Sequence, residues 1–501
     1  MALLDRLTDA RPLAHHRPWP RAVVDSSDWI RAAKMLDEGG LDLAGLWADG
    51  ATVHLALSDT TAIAVLSLEC VGRRYPSVAQ FHPPAIRLER AIRNLFGLEA
   101  EGAPDRRPWL DHGRWGVKHP LAAAEPSTDG KTSYEFLPVE GESLHQVAVG
   151  PVHAGIIEPG FFQFTAAGET IVRLEERLGY VHKGIEALMQ GGDLDRAIKL
   201  AGRTSGDSTV AYAWAFAMAA EAALGIEVPE RAVWLRALMA ELERIANHLG
   251  DFGAICNDAS FAIMQAQCAI LRERVLRAAQ SCFGHRLMRD RICVGGTACD
   301  LSGDGAETLT QLTRDIASRL PRLRELYDKT ASLQDRTVGT GYLKPELARQ
   351  YACGGFIGRA SGRAFDARKA SAYAPYERLS FEVPVLEEGD VNARVWIRIR
   401  EIEQSLALIA QILGHLRPGP LRAETVASDT SGEGIAMVEG FRGDILVWIR
   451  MAPDGTVARC HLRDPSWFQW PLLEAVIEGN IVADFPLCNK SFNCSYSGHD
   501  L

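Results

Sequence analysis

Two neighbouring segments decide the fold of this chain: GPVHAGIIEPGFF at residues 150–162 and LGYVHKG at residues 178–184. Around the second segment, apolar residues recur at steps of three and four from Ile171 to Leu188. This spacing places them along one face of an α-helix. We therefore predict a helix over this stretch that ends near Gly191 and Gly192, since paired glycines commonly end a helix.

Helical periodicity dominates the chain beyond this point. Further apolar runs with the same spacing predict helices at 232–249, 263–279, 309–333 and 395–416. A late extended passage at 434–451 and 457–462, broken by turn residues, predicts a small sheet. The fold class predicted for this part is a mainly α-helical bundle domain with a small β-sheet packed on it.

The first third of the chain has a different pattern. Short extended runs at 52–57 and 62–68 alternate with a charged helical run at 85–95, which predicts a small α+β domain. Residues 121–143 are rich in Ala, Pro, Ser, Thr, Gly and Glu, as is typical of a linker. The predicted division is an α+β N-terminal domain at 1–120, a linker at 121–143 and a second domain at 144–501.

Composition and charge exclude several classes of function. The chain has 501 residues with a net charge of -10, so it lacks the basic excess that nucleic-acid binding requires. The N-terminus shows no apolar segment typical of a secretory signal, which favours a cytoplasmic location. The most apolar stretch, 210–226, is too short to cross a bilayer and predicts a buried helix. Any membrane attachment would therefore come through partner subunits.

The ten cysteines show no pair with C-x-x-C spacing. The nearest pairs, Cys293 with Cys299 and Cys488 with Cys494, are each separated by five residues. Such spacing favours buried reduced thiols, which behave as small apolar side chains, over ligation of a metal or an iron-sulfur cluster. We expect no metal ligands in this chain.

The chain resembles the large subunits of energy-converting nickel-iron hydrogenases of the formate hydrogenlyase and hydrogenase-4 type, and the 49 kDa subunit of complex I. The resemblance begins with the two opening segments and covers residues 149–501. It continues in the same order through shorter motifs, which are ELER at 241–244, NHLGD at 247–251, RASG at 359–362, FEVP at 381–384 and GDV at 389–391. It implies the hydrogenase large-subunit fold for this part of the chain.

The N-terminal part is similar to the 30 kDa subunit of complex I, which is often fused ahead of the large subunit. The similarity rests on YPS at 75–77, on Glu89-Arg90 and on GAPDRR at 102–107. Asn94 and Ala103 depart from that family, which usually has Asp and His there. The order of the two halves supports the resemblance of the whole chain.

The nickel-binding positions of the family carry no cysteine here. The resemblance implies two C-x-x-C motifs whose four soft thiolates bind nickel and iron. The matching segments are RTSGDSTVAY at 203–212 and NCSYSGHDL at 493–501, which place Ser205, Ser208, Ser495 and Gly498 at the ligand positions. A serine hydroxyl is a hard donor that stays protonated in ordinary sites, and glycine offers no side chain. We therefore predict a hydrogenase-related member that is cysteine-less at its four ligand positions and has no nickel-iron centre.

Other pocket positions are partly kept. The resemblance places Glu158 at a glutamate associated with proton transfer, His153 in a loop that borders the quinone head group of complex I, and Arg442 beside the ligands of the iron. Tyr212 stands where a histidine is usual, and with Asp207 it is a candidate for a remodelled polar pocket. Structural alternatives stay open: local loop contacts for Glu158 and His153, and simple exposure for Arg442.

Three functions remain open on the sequence alone. The leading one is a metal-free large subunit of a membrane-associated, complex I-related complex that couples a redox or conformational change to ion translocation. The second is a quinone-reducing subunit in which His153, Tyr212 or Asp207 donates protons to a quinone head group, and the third is a structural scaffold. Glu158, His153, Tyr212 and Asp207 are together the candidates for a proton relay or pocket. The expected partners are an iron-sulfur small subunit, which would hold any cluster, and antiporter-like membrane subunits. The chain would then lie peripherally on the inner face of the cytoplasmic membrane.

Overall fold

The computed structural model describes residues 3–122, 125–127, 134–153, 155, 157–423 and 432–501. Within those ranges no helix is both long and apolar enough to cross a bilayer. The predicted linker lies partly outside the described residues, at 123–124 and 128–133, as do Ala154 and Ile156 of the first opening segment. The division of the chain at 120 and 143 stays a prediction.

A four-stranded sheet forms the centre of the N-terminal part. Its strands follow the order Arg21–Val23, Ile63–Glu69, Thr52–Ser58 and Asp42–Asp49. The three long strands are antiparallel neighbours, and the short one pairs in parallel. The predicted strands at 52–57 and 62–68 and the helix at 85–95, observed as Ile86–Phe96, are confirmed to within one residue at each end. The other elements of this part are Leu3–Leu7, Ser26–Asp37, Arg74–Pro76, Glu99–Glu101, Val117–Lys118 and Glu125–Pro126.

Long helices build the second part, as predicted. They are Thr209–Leu224, Glu230–Asp258, Ala262–Phe283, Gly305–Lys329 and Val391–His415. Glu230–Asp258 lies at the centre and contacts both Ala262–Phe283 and Val391–His415. The predicted helix at 309–333 is interrupted, because Thr330 has an extended backbone and a new helix begins at Ala331. The shorter helices are Ile185–Met189, Leu194–Ala201, Ala331–Thr337, Pro345–Gln350, Gly355–Ala360, Ala367–Ala370, Ser466–Ile477, Phe485–Phe492 and Tyr496–Asp500.

The late sheet joins the two parts of the chain. Its strands follow the order His16–Arg17, Glu433–Glu439, Asp444–Met451 and Val457–Arg463, so the N-terminal segment supplies one edge. Trp47 of the first sheet stacks on His461 of this one, with ring centroids 5.1 Å apart. The two sheets therefore share one apolar core. A two-stranded ribbon of Ile292–Cys293 and Gly296–Thr297 lies elsewhere in the bundle part.

The predicted helix over 171–188 is wrong. Leu144–Val149, Phe161–Ala167 and Thr170–Arg177 form a three-stranded antiparallel sheet instead. The run Thr170-Ile171-Val172 consists of β-branched residues, which favour strands, and Gly168 supplies the positive φ of 60° in the turn before it. The helical part shrinks to Ile185–Met189, and its predicted end near Gly191 is confirmed.

Candidate functional site

The structure brings the two serine-bearing segments together, although they lie 290 residues apart in the chain. Ser205 precedes the helix Thr209–Leu224, and Ser495 caps the helix Tyr496–Asp500. The hydroxyl oxygens of Ser205 and Ser495 are 3.1 Å apart. The backbone N–H of Gly498 donates to Ser495 Oγ at 2.9 Å. Three of the four positions that the resemblance assigns to nickel ligands are thus joined by hydrogen bonds.

The fourth position, Ser208, accepts a hydrogen bond from Arg442, which forms an ion pair with Asp207 beside these hydroxyls. Arg442 Nη1 donates to Asp207 Oδ1 at 2.9 Å and lies 3.3 Å from Ser208 Oγ, while its Nη2 donates to Asp207 Oδ2. Ser205 Oγ donates to Asp207 Oδ1 at 2.6 Å and so connects the pair to Ser495. Arg442 is buried, so the alternative that it is exposed is wrong.

Charge pairing controls the titration of this ion pair. Burial alone would raise the pKa of Asp207, but the Arg442 guanidinium outweighs it and the pKa is lowered. Burial would likewise lower the pKa of Arg442, yet Asp207 raises it. Both groups are therefore charged at neutral pH, and Asp207 is the counter-ion of Arg442.

Tyr212 forms a second pair, with Asp464, which the sequence analysis missed. The Tyr212 hydroxyl donates to Asp464 Oδ2 at 2.5 Å, and both residues are fully buried. Burial and the Asp464 carboxylate hold the pKa of Tyr212 well above its usual value. The other oxygen of Asp464 accepts from the backbone N–H of Ser466 at 2.8 Å. The sequence signal at Asp464 is only an Asp-Pro step before a helix, which does not indicate a site.

Asp464 also occupies the space that a side chain at Gly498 would need. A Cβ built on Gly498 would lie 2.3 Å from Asp464 Oδ2 and 2.8 Å from Ser495 Oγ. Real Cβ atoms do not approach other atoms so closely, so a cysteine there requires Asp464 to move. The position of the Asp464 side chain therefore depends on the absence of a side chain at Gly498.

The residues present do not fit a nickel-iron centre. The atoms that converge are hydroxyl and carboxylate oxygens, whereas nickel in this setting needs soft thiolates. The nearby thiol, Cys494, is buried, and burial holds its pKa well above the usual value, so it stays protonated. In the described part of the chain, no group of three or more His, Cys, Asp or Glu side chains suits a metal ion.

Glu158 and His153 lie on the loop that covers the C-terminal helix. The exposed Glu158 carboxylate accepts a hydrogen bond from the backbone N–H of Ser497 at 3.0 Å. His153 Nδ1 accepts from the N–H of Gly155 at 3.2 Å, within its own loop. The four residues of the predicted relay thus fall into separate contacts: the ion pair, the Tyr212–Asp464 pair, the C-terminal helix and the loop. Their role in proton transfer stays a prediction.

A cavity of about 170 Å³ lies on the other side of Asp207. Its polar lining consists of Asp207, Glu243, Asn247, Arg272 and Arg286, and its apolar lining comes mainly from the helices Glu230–Asp258 and Ala262–Phe283. The Glu243 carboxyl accepts from the backbone N–H groups of Val210 and Ala211 at 2.7 and 3.1 Å. Burial nevertheless raises the pKa of Glu243 to about 8. A neutral carboxyl therefore lines this cavity at pH 7, and the sequence analysis had not singled it out as a site residue.

Models of known families match most of the chain. The model of the respiratory-chain NADH dehydrogenase 49 kDa subunit matches residues 261–431 and 425–500, and that of the 30 kDa subunit matches 22–131. The model of nickel-dependent hydrogenases matches residues 183–256. The order of these matches is the order that the resemblance implied.

Individual proteins are similar over most of their length. Formate hydrogenlyase subunit 5 of Escherichia coli is 32% identical over 85% of this chain and 77% of its own length. The carbon monoxide-induced hydrogenase of Rhodospirillum rubrum is 30% identical over 70% of this chain and 98% of its own. The C/D subunit of the NADH-quinone oxidoreductase from Bacteroides thetaiotaomicron is 27% identical over 87% of both.

Among solved structures, a chain of the membrane-bound sulfane sulfur reductase, an archaeal respiratory membrane complex, superimposes with a TM-score of 0.68. It is 26% identical, and the match covers 73% of this chain and all of that one. The fold predicted from the sequence, a 30 kDa-like part followed by a large-subunit part, is confirmed.

Proposed function

The chain belongs to the family of the large subunits of energy-converting hydrogenases and of complex I, and from this premise we propose that it works without a metal centre in a membrane-associated complex. Its relatives are oxidoreductase subunits, and the solved one is part of a respiratory membrane complex. In this proposal the protein couples a redox or conformational change to the translocation of protons or other ions.

One observation carries the proposal: the serine hydroxyls at the positions assigned to nickel ligands form hydrogen bonds with other groups of the protein. Ser205 and Ser495 bond to each other, and Ser208 lies against the buried Arg442. Buried polar groups are costly unless they are paired, so this mutual pairing explains how the fold tolerates the loss of thiolates. The scaffold is kept while the chemistry of the donors has changed.

The proposed partners are an iron-sulfur small subunit and antiporter-like membrane subunits, with the chain on the inner face of the cytoplasmic membrane. The loop at 150–162 supports a covering partner, because Val152 is 92% exposed and Ile157 is 38% exposed. Neighbouring exposed apolar side chains on an otherwise polar surface commonly mark a contact with another protein.

Metal analysis of the intact complex tests this proposal. Nickel and iron are measured per large subunit in the complex purified from membranes, with a nickel-iron hydrogenase of the same family as the positive control. We expect iron, from the clusters of the small subunit, and no stoichiometric nickel. One nickel per large subunit would refute the metal-free function.

A second candidate function, quinone reduction, is favoured by the cavity beside Asp207. Its volume of about 170 Å³ compares with the roughly 150 Å³ cavity known to admit a benzene ring. Asp207 and the neutral Glu243 provide polar contacts for a ring that carries oxygen atoms. In this alternative the head group would bind there, outside the network of Ser205 and Ser495.

Cross-linking with a photoreactive quinone analogue distinguishes the two candidates. If quinone binds, labelled peptides come from the cavity wall, and Leu276→Trp, which fills the cavity, abolishes the label. Val338→Trp, on a residue that is 54% exposed, is the matched control and keeps the label. Absence of any label in the wild-type wall would reject the quinone alternative.

A further inference from the structure

Two carboxyl groups face a single guanidinium where the N-terminal part meets the C-terminal part. Arg87 Nη1 lies 3.2 Å from Glu176 Oε2, and its Nη2 lies 2.7 Å from Glu474 Oε1. The backbone N–H of Glu176 also donates to Glu474 Oε1 at 2.7 Å. The three residues come from the helix Ile86–Phe96, the strand Thr170–Arg177 and the helix Ser466–Ile477. One positive charge from the first part thus serves two acids of the second.

The cluster cannot easily hold two ionised carboxylates. With both ionised, it would carry one net negative charge, and the side chain of Glu176 is 0% exposed. Glu176 Oε1 is buried and has no hydrogen-bond partner among the described residues. An ionised oxygen without a donor, away from water, is costly, whereas a protonated carboxyl removes the charge. Glu176 Oε1 thus receives no hydrogen bond that would stabilise a negative charge.

The surrounding groups do not supply a second positive charge to Glu176. Burial and Glu474 hold the pKa of Glu176 well above its usual value, against the opposing effect of Arg87. Burial also raises the pKa of Glu474, although Arg87 lowers it. The other titratable or charged groups that face the cluster are Arg173, Glu175, Tyr134, Tyr351, Cys494, Tyr496 and His499, and Tyr351 acts on both Arg87 and Glu474.

We propose that Glu176, Glu474 and Arg87 form a binding site for one exchangeable proton, which Glu176 holds and which exchanges with solvent through Glu474. The side chain of Glu474 is 23% exposed and shares Arg87 with the fully buried Glu176, so it is the carboxyl of the cluster that reaches water. On the inner side, loss of this proton would place a negative charge beside Cys494 and Tyr496, which flank Ser495 and whose pKa values an ionised Glu176 raises. The proton therefore sits next to the C-terminal segment of the candidate site. The site is independent of the proposed function, since it needs neither a quinone nor ion transport.

Infrared spectroscopy of the intact complex, carrying ¹³C-labelled glutamate in this subunit, tests the site. We expect the wild type to show a protonated carboxyl band at neutral pH that is missing from the spectrum of Glu176→Gln. Glu474→Gln keeps the acceptor for the Glu176 N–H but removes one negative charge. It should increase the acidity of Glu176 at least tenfold, so that the band disappears at a pH lower by one unit or more. Glu325→Gln, on an exposed helix surface, is the control. It should change neither the carboxyl band nor its midpoint, which is the pH at which half of the band is lost.

Two results would overturn the site. One is an unchanged carboxyl band in Glu176→Gln, which would mean that Glu176 is ionised at neutral pH. The other is an unchanged midpoint in Glu474→Gln, which would mean that the two carboxyls do not share a proton. If Glu176→Gln fails to assemble, the comparison of wild type with Glu474→Gln still decides, because that midpoint needs no variant at position 176.

Discussion

Replacing Gly498 by Ala tests whether Asp464 occupies the space of the missing ligand. The added Cβ would lie 2.3 Å from Asp464 Oδ2, well inside van der Waals contact. Asp464 must then move, and it loses the hydrogen bond from Tyr212 that it accepts at 2.5 Å. Alanine is the sharpest choice because it adds the clashing atom and no new chemistry.

The expected destabilisation follows from these two effects. Overpacking a buried position typically costs about 1–3 kcal/mol, and loss of a buried hydrogen bond to a charged group adds about 1.5–3 kcal/mol. We expect a decrease of about 3–5 kcal/mol in the free energy of unfolding. Asp464→Ala combined with Gly498→Ala should cost less than the two single changes together, by roughly 1–3 kcal/mol, because the clash is gone.

Denaturant unfolding followed by tryptophan fluorescence measures both quantities. Gly206→Ala is the matched control, since a Cβ there meets no atom within 4 Å, and it should change the stability by less than about 0.5 kcal/mol. If Gly498→Ala is as mild as this control, Asp464 does not fill the ligand space, and the account of the site is wrong.

Three further predictions concern the same region. Asp207→Asn leaves the buried Arg442 without its counter-ion and should cost about 3 kcal/mol in unfolding free energy, while the double variant Asp207→Asn/Arg442→Met should recover part of this loss; no recovery would mean that the pair is not coupled. Glu243 has a folded pKa of about 8, above that of an unfolded glutamate, so its stabilising contribution is complete below about pH 4 and is lost as the pH rises towards 8. Unfolding measured from pH 5 to 8 should therefore show a smaller loss of stability in Glu243→Gln than in the wild type, and equal slopes would contradict the assignment. Tyr212→Phe removes the donor to Asp464, and under the proposed function it should lower ion transport per assembled complex; normal transport in both Tyr212→Phe and Glu158→Gln would favour a purely structural scaffold.

Local patterns predicted most of the elements but not every element type. The strands at 52–57 and 62–68 have apolar runs with clear turn residues beside them, and the structure matches them closely. The run from Ile171 to Leu188 satisfied helical spacing by coincidence, and the β-branched residues Ile171 and Val172 decided for a strand. Pairing with Phe161–Ala167 stabilises that strand, and such tertiary pairing is invisible in a window of neighbouring residues.

Only those residues of the candidate site that lie within the family motifs could be predicted from the sequence. The motifs placed Ser205 near Ser495, and the structure joins them. Asp464 could not be predicted, because its role depends on the space beside Gly498 and on Tyr212, which lies 252 residues away. Glu176 and Arg87 are also distant in sequence, 89 residues apart, and neither lies in a motif on which the resemblance rests.

Loss of the thiolates and the gain of this network depend on each other. A buried hydroxyl or guanidinium left without a partner costs about 1–3 kcal/mol or more, so serines alone would have destabilised the fold. Asp207 pairs with both Ser205 and Arg442, and Asp464 pairs with Tyr212 while filling the space beside Gly498. A cysteine returned at position 498 would conflict with Asp464, because its Cβ would lie 2.3 Å from Asp464 Oδ2. Asp464 would therefore have to change together with position 498, whereas Asp207, whose side chain is 33% exposed, could keep its pairing with Arg442.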